Sequence, residues 1–467
     1  MVSKKDFQKG ELLLIISNMP ILLLFSLLLR LILWPFIQIA AIFGPLKSRR
    51  DFERRNLNDP QCLSFLQTHE RADILFHFSS EGEFEQIRPL IENMLDLGHK
   101  VELMFTSESV EAKLISFARS YKDRVRFLRV PLVEFFPFIF GQNLLHWSTA
   151  KKMVMVRYDF FPDLMTLGMR MSRFILYSAS MKSKTNSGFS WGLKKLIYES
   201  YTDIFCATKN DFLFFSKALE RVNVHPELDL RSLQISHRQM NFHKQALSSS
   251  LRELYEMVEL EKRICLAQLW PNEVDLFSDR EFLSSIIEGE CFVYLAPHKL
   301  APEFVTKIVD GIRAKASGFG LELPIYTLEK EAGEAEIQEV IRTYKDKAGL
   351  IISSIPGVLC ESYPFFSHVF IGGGHGKGVH SLLEPFMGQA LITCGPGVHR
   401  STEYEIVKEY SGDNRKQIQI LDNLKDFYHN CSLDKSCATP SEVLENFVSH
   451  NEIEMNKLIK ILDNHNA

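Results

Sequence analysis

A carboxylate stands on the turn His77-Phe78-Ser79-Ser80-Glu81-Gly82-Glu83, between an apolar run and an amphipathic stretch, where it can take a proton from a substrate. The run Asp73-Ile74-Leu75-Phe76-His77-Phe78 reads as a short buried strand, and Ile87, Leu90, Ile91, Met94 and Leu95 recur after it at helical spacing. Ser79 or Ser80 caps that helix and leaves Glu83 in its first turn. In an open α/β sheet, ligands collect beyond the carboxyl ends of the strands, so Glu83 faces the crevice rather than the core. Acids are favoured in first turns whatever their function, so a plain helix cap predicts the same position.

A second stretch, Phe370-Ile371-Gly372-Gly373-Gly374-His375-Gly376-Lys377-Gly378-Val379-His380-Ser381-Leu382-Leu383-Glu384-Pro385, reads as an apolar strand, a glycine loop and the start of a helix. Amides bared by glycines and aimed along a helix N-terminus make a phosphate site. Gly376-Lys377 is followed by Gly378 rather than Ser or Thr, and no G-x-G-x-x-G can be laid over the loop, so neither standard nucleotide fingerprint fits. The pattern suits a nucleotide sugar instead, with phosphate on the loop and Glu384 accepting from ribose hydroxyls. His375 and His380 have no Cys or acidic third ligand beside them, which favours imidazoles that touch phosphate or hold the loop over a metal site. No G-x-S-x-G nucleophile elbow occurs, so a common serine-hydrolase chemistry has no support.

Taken together the two stretches resemble the 3-deoxy-D-manno-octulosonic acid (Kdo) transferases, GT-B-type glycosyltransferases that move Kdo from CMP-Kdo onto lipid A precursors. The family's His, small residues, Gly-Glu, then Pro-Leu-Ile are matched by His77, Gly82, Glu83 and Pro89-Leu90-Ile91. Its Gly-Gly-Gly-x-Gly-x-Gly-x-His-Asn-x-Leu-Glu pattern is matched from Gly372 to Glu384, with Ser381 where Asn is usual. Between them the likeness thins. Val156-Arg157-Tyr158-Asp159-Phe160-Phe161-Pro162 resembles a Lys-Tyr-Glu-Phe-Trp segment with Asp159 at the Glu position, and Ser178-Ala179-Ser180-Met181-Lys182 stands where the family carries an arginine. Arg238 resembles the basic residue of a Gly-Asp-x-Arg turn, Leu266 to Pro271 a Gly-Ser-Thr-Trp turn without its Gly and Ser, Ala296-Pro297-His298-Lys299 a Pro-Arg-His turn, and Cys394-Gly395-Pro396 a Phe-Gly-Pro turn.

What the resemblance implies is an inverting transfer of Kdo from CMP-Kdo to a lipid A precursor in lipopolysaccharide inner-core synthesis. Glu83 would be the general base, with Asp159 assisting. His298, Lys299, Gly373, Gly374, Gly376, Lys377, His380, Ser381 and Glu384 would bind the donor, and Ser80, Gly82, Lys182 and Arg238 would hold the acceptor or support the base. No metal or other cofactor is expected. The mid-chain departures leave two alternatives open: a GT-B transferase for another nucleotide sugar or lipid acceptor, or a catalytically silent relative that binds a glycolipid at the membrane.

These residues need a frame of alternating strands and helices. Strand candidates are Ile74 to Phe78, Val101 to Phe105, Val125 to Val130, Phe174 to Ser178, Phe292 to Ala296, Leu350 to Ser353, Val369 to Ile371 and Leu391 to Cys394, separated by helical patterns. That is a doubly wound α/β signature appearing twice, hence two Rossmann-like domains facing a cleft. The predicted division is an anchor with its basic flank at 1–56, an acceptor domain at 57–236, a Gln-, Ser-, Glu- and Lys-rich linker at 237–262, a nucleotide-sugar domain at 263–440 and a terminal helix at 441–467. With 467 residues, 46 % hydrophobic and 24 % charged, the bulk is ordinary globular protein. A net charge of −4 gives no basis for nucleic-acid binding. The 8 cysteines form no C-x-x-C pair, as expected of reduced thiols in a cytosol. Of the 36 phenylalanines, Phe135, Phe136 and Phe138 cluster in an apolar run that is either core or a surface for acyl chains.

The N-terminus departs from that composition. From Leu12 to Leu46 the chain is almost wholly apolar, with Arg30 the one charge between Met19 and Ile37. This approaches the roughly 20 residues that cross a bilayer, while Pro20, Arg30 and Pro35 also allow a helix lying in the interface. The apolar region is too long for a cleaved signal peptide, and no small-x-small site follows it. Lys47, Arg49, Arg50, Arg54 and Arg55 follow at once, which places the bulk of the chain on the cytoplasmic side of an inner membrane.

Overall fold

In the computed structural model, residues 21–44, 46–62, 70–121, 123–137, 143–157, 160–181, 189–244, 246–379, 381–398, 401–411, 417–431 and 440–464 are described. The chain divides into two compact units, Met1–Arg231 with Asn451–Ala467, and Ser232–His450.

The first unit is built on β1 (Ile74–Phe78), β2 (Val101–Phe105), β3 (Val125–Arg129), β4 (Lys152–Val156), β5 (Arg173–Ala179), β6 (Asp203–Cys206) and β7 (Asn223–Glu227). They form one parallel sheet in the order β3-β2-β1-β4-β5-β6-β7. The central strands are apolar on both faces because helices cover both, and every residue of β1, β2 and β4 is buried. Among the described residues, the helices α1 (Ile21–Phe43) and α2 (Lys47–Leu57) precede the sheet. A third, α3 (Glu81–Asp96), leaves β1 and buries Phe84, Ile87, Leu90, Ile91, Met94 and Leu95, the periodic face read from the sequence.

The basic flank assigned to the anchor belongs to this unit. Glu53, 1 % exposed, accepts from the amides of Leu132, Val133 and Glu134 at 2.8, 2.9 and 2.9 Å. Asn56 Oδ1 accepts from Arg129 N at 2.9 Å. A buried carboxylate held by several N–H groups fixes α2 to the loop after β3. The anchor therefore ends before α2, not at residue 56.

The second unit repeats the plan with β8 (Arg263–Leu269), β9 (Phe292–Pro297), β10 (Ile325–Leu328), β11 (Leu350–Ser353), β12 (His368–Ile371), β13 (Leu391–Cys394) and β14 (Ile418–Ile420). The order is β10-β11-β9-β8-β12-β13-β14, again all parallel. Residues 237–262 are not a connector. They include the last turn of α4 (Leu230–Met240) and all of α5 (Ser248–Tyr255), and Leu251, Leu254 and Tyr255 lie fully buried in the core beside Tyr294 and Phe366. The polar composition that suggested a linker belongs to the outer faces of these helices. A five-residue helix, α6 (Leu383–Met387), follows the glycine loop.

The terminal helix α7 (Ser441–Asp463) is shared between the units at His450/Asn451 rather than forming an element of its own. Its early residues Leu444 and Phe447 sit in the second unit's core. In the first unit, Asn451 Oδ1 accepts from Asp229 N at 2.6 Å, and Lys152 Nζ donates to the carbonyls of Leu462 and Asn464 at 2.5 and 2.8 Å. A cation on the last carbonyls suits a helix C-terminus. Asn451→Ala would strand the buried Asp229 N–H, so urea unfolding of the first unit should show a loss of about 1–3 kcal/mol; an unchanged midpoint would mean that water replaces the bond.

Candidate functional site

In each sheet the chain turns opposite ways on either side of a central strand: β1 pairs with both β2 and β4, and β8 with both β9 and β12. Such switch points open a crevice at the strands' carboxyl ends. The candidate residues collect there, unit by unit.

In the first unit, Ser80 is the extended N-cap of α3 and Glu83 occupies its first turn. Ser79 N donates to Glu83 Oε2 at 2.6 Å, and Glu83 N donates to Ser80 Oγ at 3.4 Å. Ser80 Oγ caps the helix and the Glu83 carboxylate holds the amide before the cap, so Glu83 does help to close this turn. That role does not exhaust the residue. Burial raises the carboxyl above its ordinary range, while the Ser79 amide and the charge of Arg157 pull it down less strongly. A Cβ at Gly82 would meet no described atom within 4 Å, so the space over this turn is open. Arg157, just past β4, holds a left-handed backbone at φ 62°, and its buried Nε has no hydrogen-bond partner among the described residues. Ser178, at the end of β5, is also left-handed at φ 58° and receives a hydrogen bond from Gln86 Nε2 at 3.1 Å. Strain of this kind gathers at functional sites. His77 lies wholly buried beneath the turn beside Thr106 Oγ1 at 3.2 Å, and burial pushes it down to about 3, so it is neutral. Asp159 and Lys182 lie outside the described residues.

In the second unit the glycine loop differs from the expected bare cradle. The amides of Gly376, Lys377 and Gly378 all donate to Gly373 O, at 3.2, 2.9 and 2.8 Å, and Gly372 N donates to Ala267 O at 2.9 Å. Gly373 N donates to both carboxylate oxygens of Glu273, at 2.8 and 3.0 Å, and Trp270 N to Glu273 Oε2 at 3.1 Å. An anion is thus already seated on the loop, a fully buried carboxylate. Burial raises Glu273, opposed by these amides and by His375, whose Nδ1 stands 3.6 Å from Oε1. His375 Nε2–H donates to Leu421 O at 2.9 Å, so this imidazole holds the loop. The glycines are needed for backbone contact: a Cβ at Gly374 would stand 2.5 Å from Gly395 N, and Gly373 has φ +94°.

The helix after the loop also differs from expectation. α6 is too short for a strong dipole, and its first amide, Leu383 N, donates to Glu403 Oε2 at 2.9 Å. What remains for a phosphate is side-chain charge. Lys377 and Lys299 are exposed, Lys299 Nζ lies 5.9 Å from the Trp270 ring centre, and His298 stacks on that ring at 4.3 Å. The buried Trp270 Nε1–H has no hydrogen-bond partner among the described residues. Glu384 is half-buried at the start of α6, its carbonyl accepting from Gln239 Nε2 at 3.0 Å. Arg238 belongs to this unit rather than to the acceptor unit: it grips the buried Glu361 with Nε and Nη2 at 2.8 and 2.9 Å and feels the charge of Glu384. There it makes a structural ion pair. His380 lies outside the described residues.

Sequence reasoning missed Arg157, Glu273 and Glu403. Only Glu273 left a local mark, as the acid of a Trp-Pro-x-Glu helix start. The partners of the others are set by the tertiary fold.

Comparison with known proteins agrees with this frame. The glycosyltransferase from Rickettsia africae ESF-5 superposes with a TM-score of 0.50 at 9 % identity, covering 85 % of this chain and all of that one. The UDP-GlcNAc 2-epimerase from Methanocaldococcus jannaschii gives 0.48 at 10 % identity over 84 % of this chain and 99 % of the other. The C-terminal CMP-Kdo binding domain of WaaA from Acinetobacter baumannii gives 0.28 at 14 % identity over 49 % and 99 %. No curated protein matches the sequence. The fold is thus of the GT-B type shared by glycosyltransferases. Residues 49–230 match the family model described as 3-deoxy-D-manno-octulosonic-acid transferase (kdotransferase).

Ser381 carries φ 49°, a left-handed conformation that Asn and Gly tolerate better than Ser. Ser381→Asn should therefore stabilise the second unit by roughly 0.5–1 kcal/mol, read as a higher urea midpoint; a lower midpoint would show that the Ser hydroxyl has a local partner. Glu273→Ala should do the reverse, costing about 1–3 kcal/mol by stranding buried amides.

Proposed function

We propose that the protein is an inverting Kdo transferase that joins Kdo from CMP-Kdo to a sugar hydroxyl of a lipid A precursor. The observation that carries this reading is Glu83: a carboxylate at the switch point of a unit matched to the family, held at 2.6 Å by the Ser79 amide, raised by burial and open on its Gly82 side. Its carboxylate takes the proton of the acceptor hydroxyl as that oxygen bonds to the anomeric carbon of Kdo. The bond from that carbon to the CMP phosphate breaks, and CMP leaves as a monoester. Arg157 keeps the base from protonating further, and Asp159 assists. Gly82 and Ser80 leave room for the acceptor sugar.

The second unit binds the donor in this reading. Lys377, Lys299, His298 and His380 meet the single phosphate, because the loop amides at Gly373 and Gly376 serve the loop itself and Gly374 is occupied by its contact with Gly395. Ser381 shapes the turn, and Glu384 accepts from the ribose. A monoester leaving group needs no metal when fixed cations neutralise it. The site works at the cytoplasmic leaflet of the inner membrane, where acceptor headgroups are presented, with Lys182 supporting the acceptor. A second reading, a silent relative, is favoured by one observation, the carboxylate already seated on the glycine loop.

Glu83→Gln keeps an oxygen for the Ser79 amide and removes only the base. Transfer should fall about 10²–10⁴-fold while CMP affinity by calorimetry stays unchanged; turnover above half of wild type would leave Glu83 as a cap alone. Because the carboxyl is raised and must be ionised to act, wild-type rate should be lost on acidification nearer to neutrality than an ordinary carboxylate would allow, and the Gln variant should lose that limb. Glu384→Ala should weaken CMP about ten- to a hundredfold without moving the pH profile, from the loss of a charged hydrogen bond of roughly 1.5–3 kcal/mol. No CMP binding by the wild-type chain would favour the silent relative.

A further inference from the structure

The helix α1 has two unlike faces. Leu27 and Ala41 are 4 % and 1 % exposed, Arg30 is ion-paired with Asp163 at the start of the helix Pro162–Gly168, Trp34 meets Phe136 edge-on at 5.5 Å, and Gln38 Nε2 donates to Val133 O at 2.7 Å. At roughly 100° per residue these positions share one side of the helix. Phe25, Leu29, Ile32, Phe36, Ile39 and Phe43 share the opposite side, and all are exposed, Phe43 to 87 %.

The two faces decide between crossing and lying flat. The contacts of the first face run the length of the helix and reach a buried acid, a ring and a backbone carbonyl of the first unit's α/β fold. A helix that crosses a bilayer would carry its middle, Arg30 to Trp34, to the centre of the hydrocarbon, and the polar unit bonded there would have to follow. Neither Asp163 nor the loop bearing Val133 tolerates that environment. Arg30, the charge that interrupts the apolar window, is explained by its partner instead of being a defect in a span. Nor is the basic flank a free lipid patch: Arg49 binds Glu53, and Arg50 and Arg54 bind Glu134 at 2.8 and 2.9 Å. These arginines fasten α2, which continues the support of α1.

We propose that α1 is a monotopic, in-plane helix that docks the first unit onto one lipid leaflet through its Phe25-to-Phe43 face, without crossing the membrane. Two features commit this face to lipid. It is a stripe of large apolar side chains with no charge on it, about 27 Å long by the helix rise, too long and too apolar for a free surface. Exposed Lys47, the first residue of α2, follows its C-terminal end, where an anionic headgroup would meet it. The inference does not rest on which sugar is transferred.

The test uses the full-length chain in inverted and right-side-out membrane vesicles, with a single added cysteine on either side of α1, Met19→Cys or Lys47→Cys, and an impermeant maleimide; wild type sets the background from native thiols. Both positions should label from the same side, the one carrying the bulk of the chain. Labelling of position 19 from the opposite side, or only after detergent, would overturn the proposal. In a second arm, Ile32→Glu with Phe36→Glu should lower binding to phosphatidylethanolamine–phosphatidylglycerol vesicles at least tenfold while circular dichroism remains that of wild type. Binding at the wild-type level would show that this face serves something other than lipid. Retained transfer to a detergent-dispersed acceptor in that variant separates loss of docking from failure of the proposed chemistry.

Discussion

In a parallel sheet the strand at which the connections reverse leaves its carboxyl end uncovered, because right-handed crossovers carry the flanking helices away to either side. Everything placed on the turns after β1 and β4, or after β8 and β12, follows from that constraint. The turn after β1 presents Glu83, and the turn after β4 presents Arg157 beside it. The turn after β12 is the glycine loop, and the turn after β8 supplies Trp270 and Glu273, which hold it. Left-handed residues at Arg157 and Gln268 lie at the ends of β4 and β8, and Ser178 at the end of β5, where the backbone must bend sharply to leave the sheet. The Gln268 bend interrupts the register of β8 with β9 between Ala267 and Leu269.

One device recurs through both units: a carboxylate seated on backbone N–H groups. Glu53 receives the loop after β3, Glu83 the amide of Ser79, Glu273 the glycine loop and Glu403 the first amide of α6. Their surroundings separate structure from chemistry. Glu53 and Glu273 are sealed from solvent and serve as internal counter-charges. Glu83 has the same kind of anchor but an open neighbour in Gly82, together with a carboxyl raised by burial. A base needs that combination, since the anchor fixes its direction and the raised carboxyl makes it an effective proton acceptor near neutral pH.

The residues legible in the sequence are those whose partners are local. Ser80 Oγ and the Glu83 amide meet within one turn, and the apolar periodicity of α3 needs no distant information. Strands β1, β2, β3, β5, β9, β11, β12 and β13 stand out as short apolar runs. Others do not. β7 contains Pro226, β10 and β14 are short edge strands, β4 opens on a lysine whose ammonium caps α7, and β8 is masked by Arg263 and Gln268 at its ends. The glycine loop was legible as a loop, but not the state of its amides, because Glu273 lies 100 residues from Gly373 in sequence. The linker reading of 237–262 failed for a related reason: α5 shows its polar face in composition, while its buried face is matched by Tyr294 and Phe366 far along the chain.

Transfer itself is the most direct test. Membranes containing the full-length protein, incubated with CMP-Kdo and a Kdo-free lipid A precursor, should yield CMP and a lipid heavier by one or more Kdo residues in the mass spectrum. An unchanged lipid, with CMP-Kdo either intact or hydrolysed to free Kdo, would contradict the assignment of Glu83 as the base of a Kdo transferase.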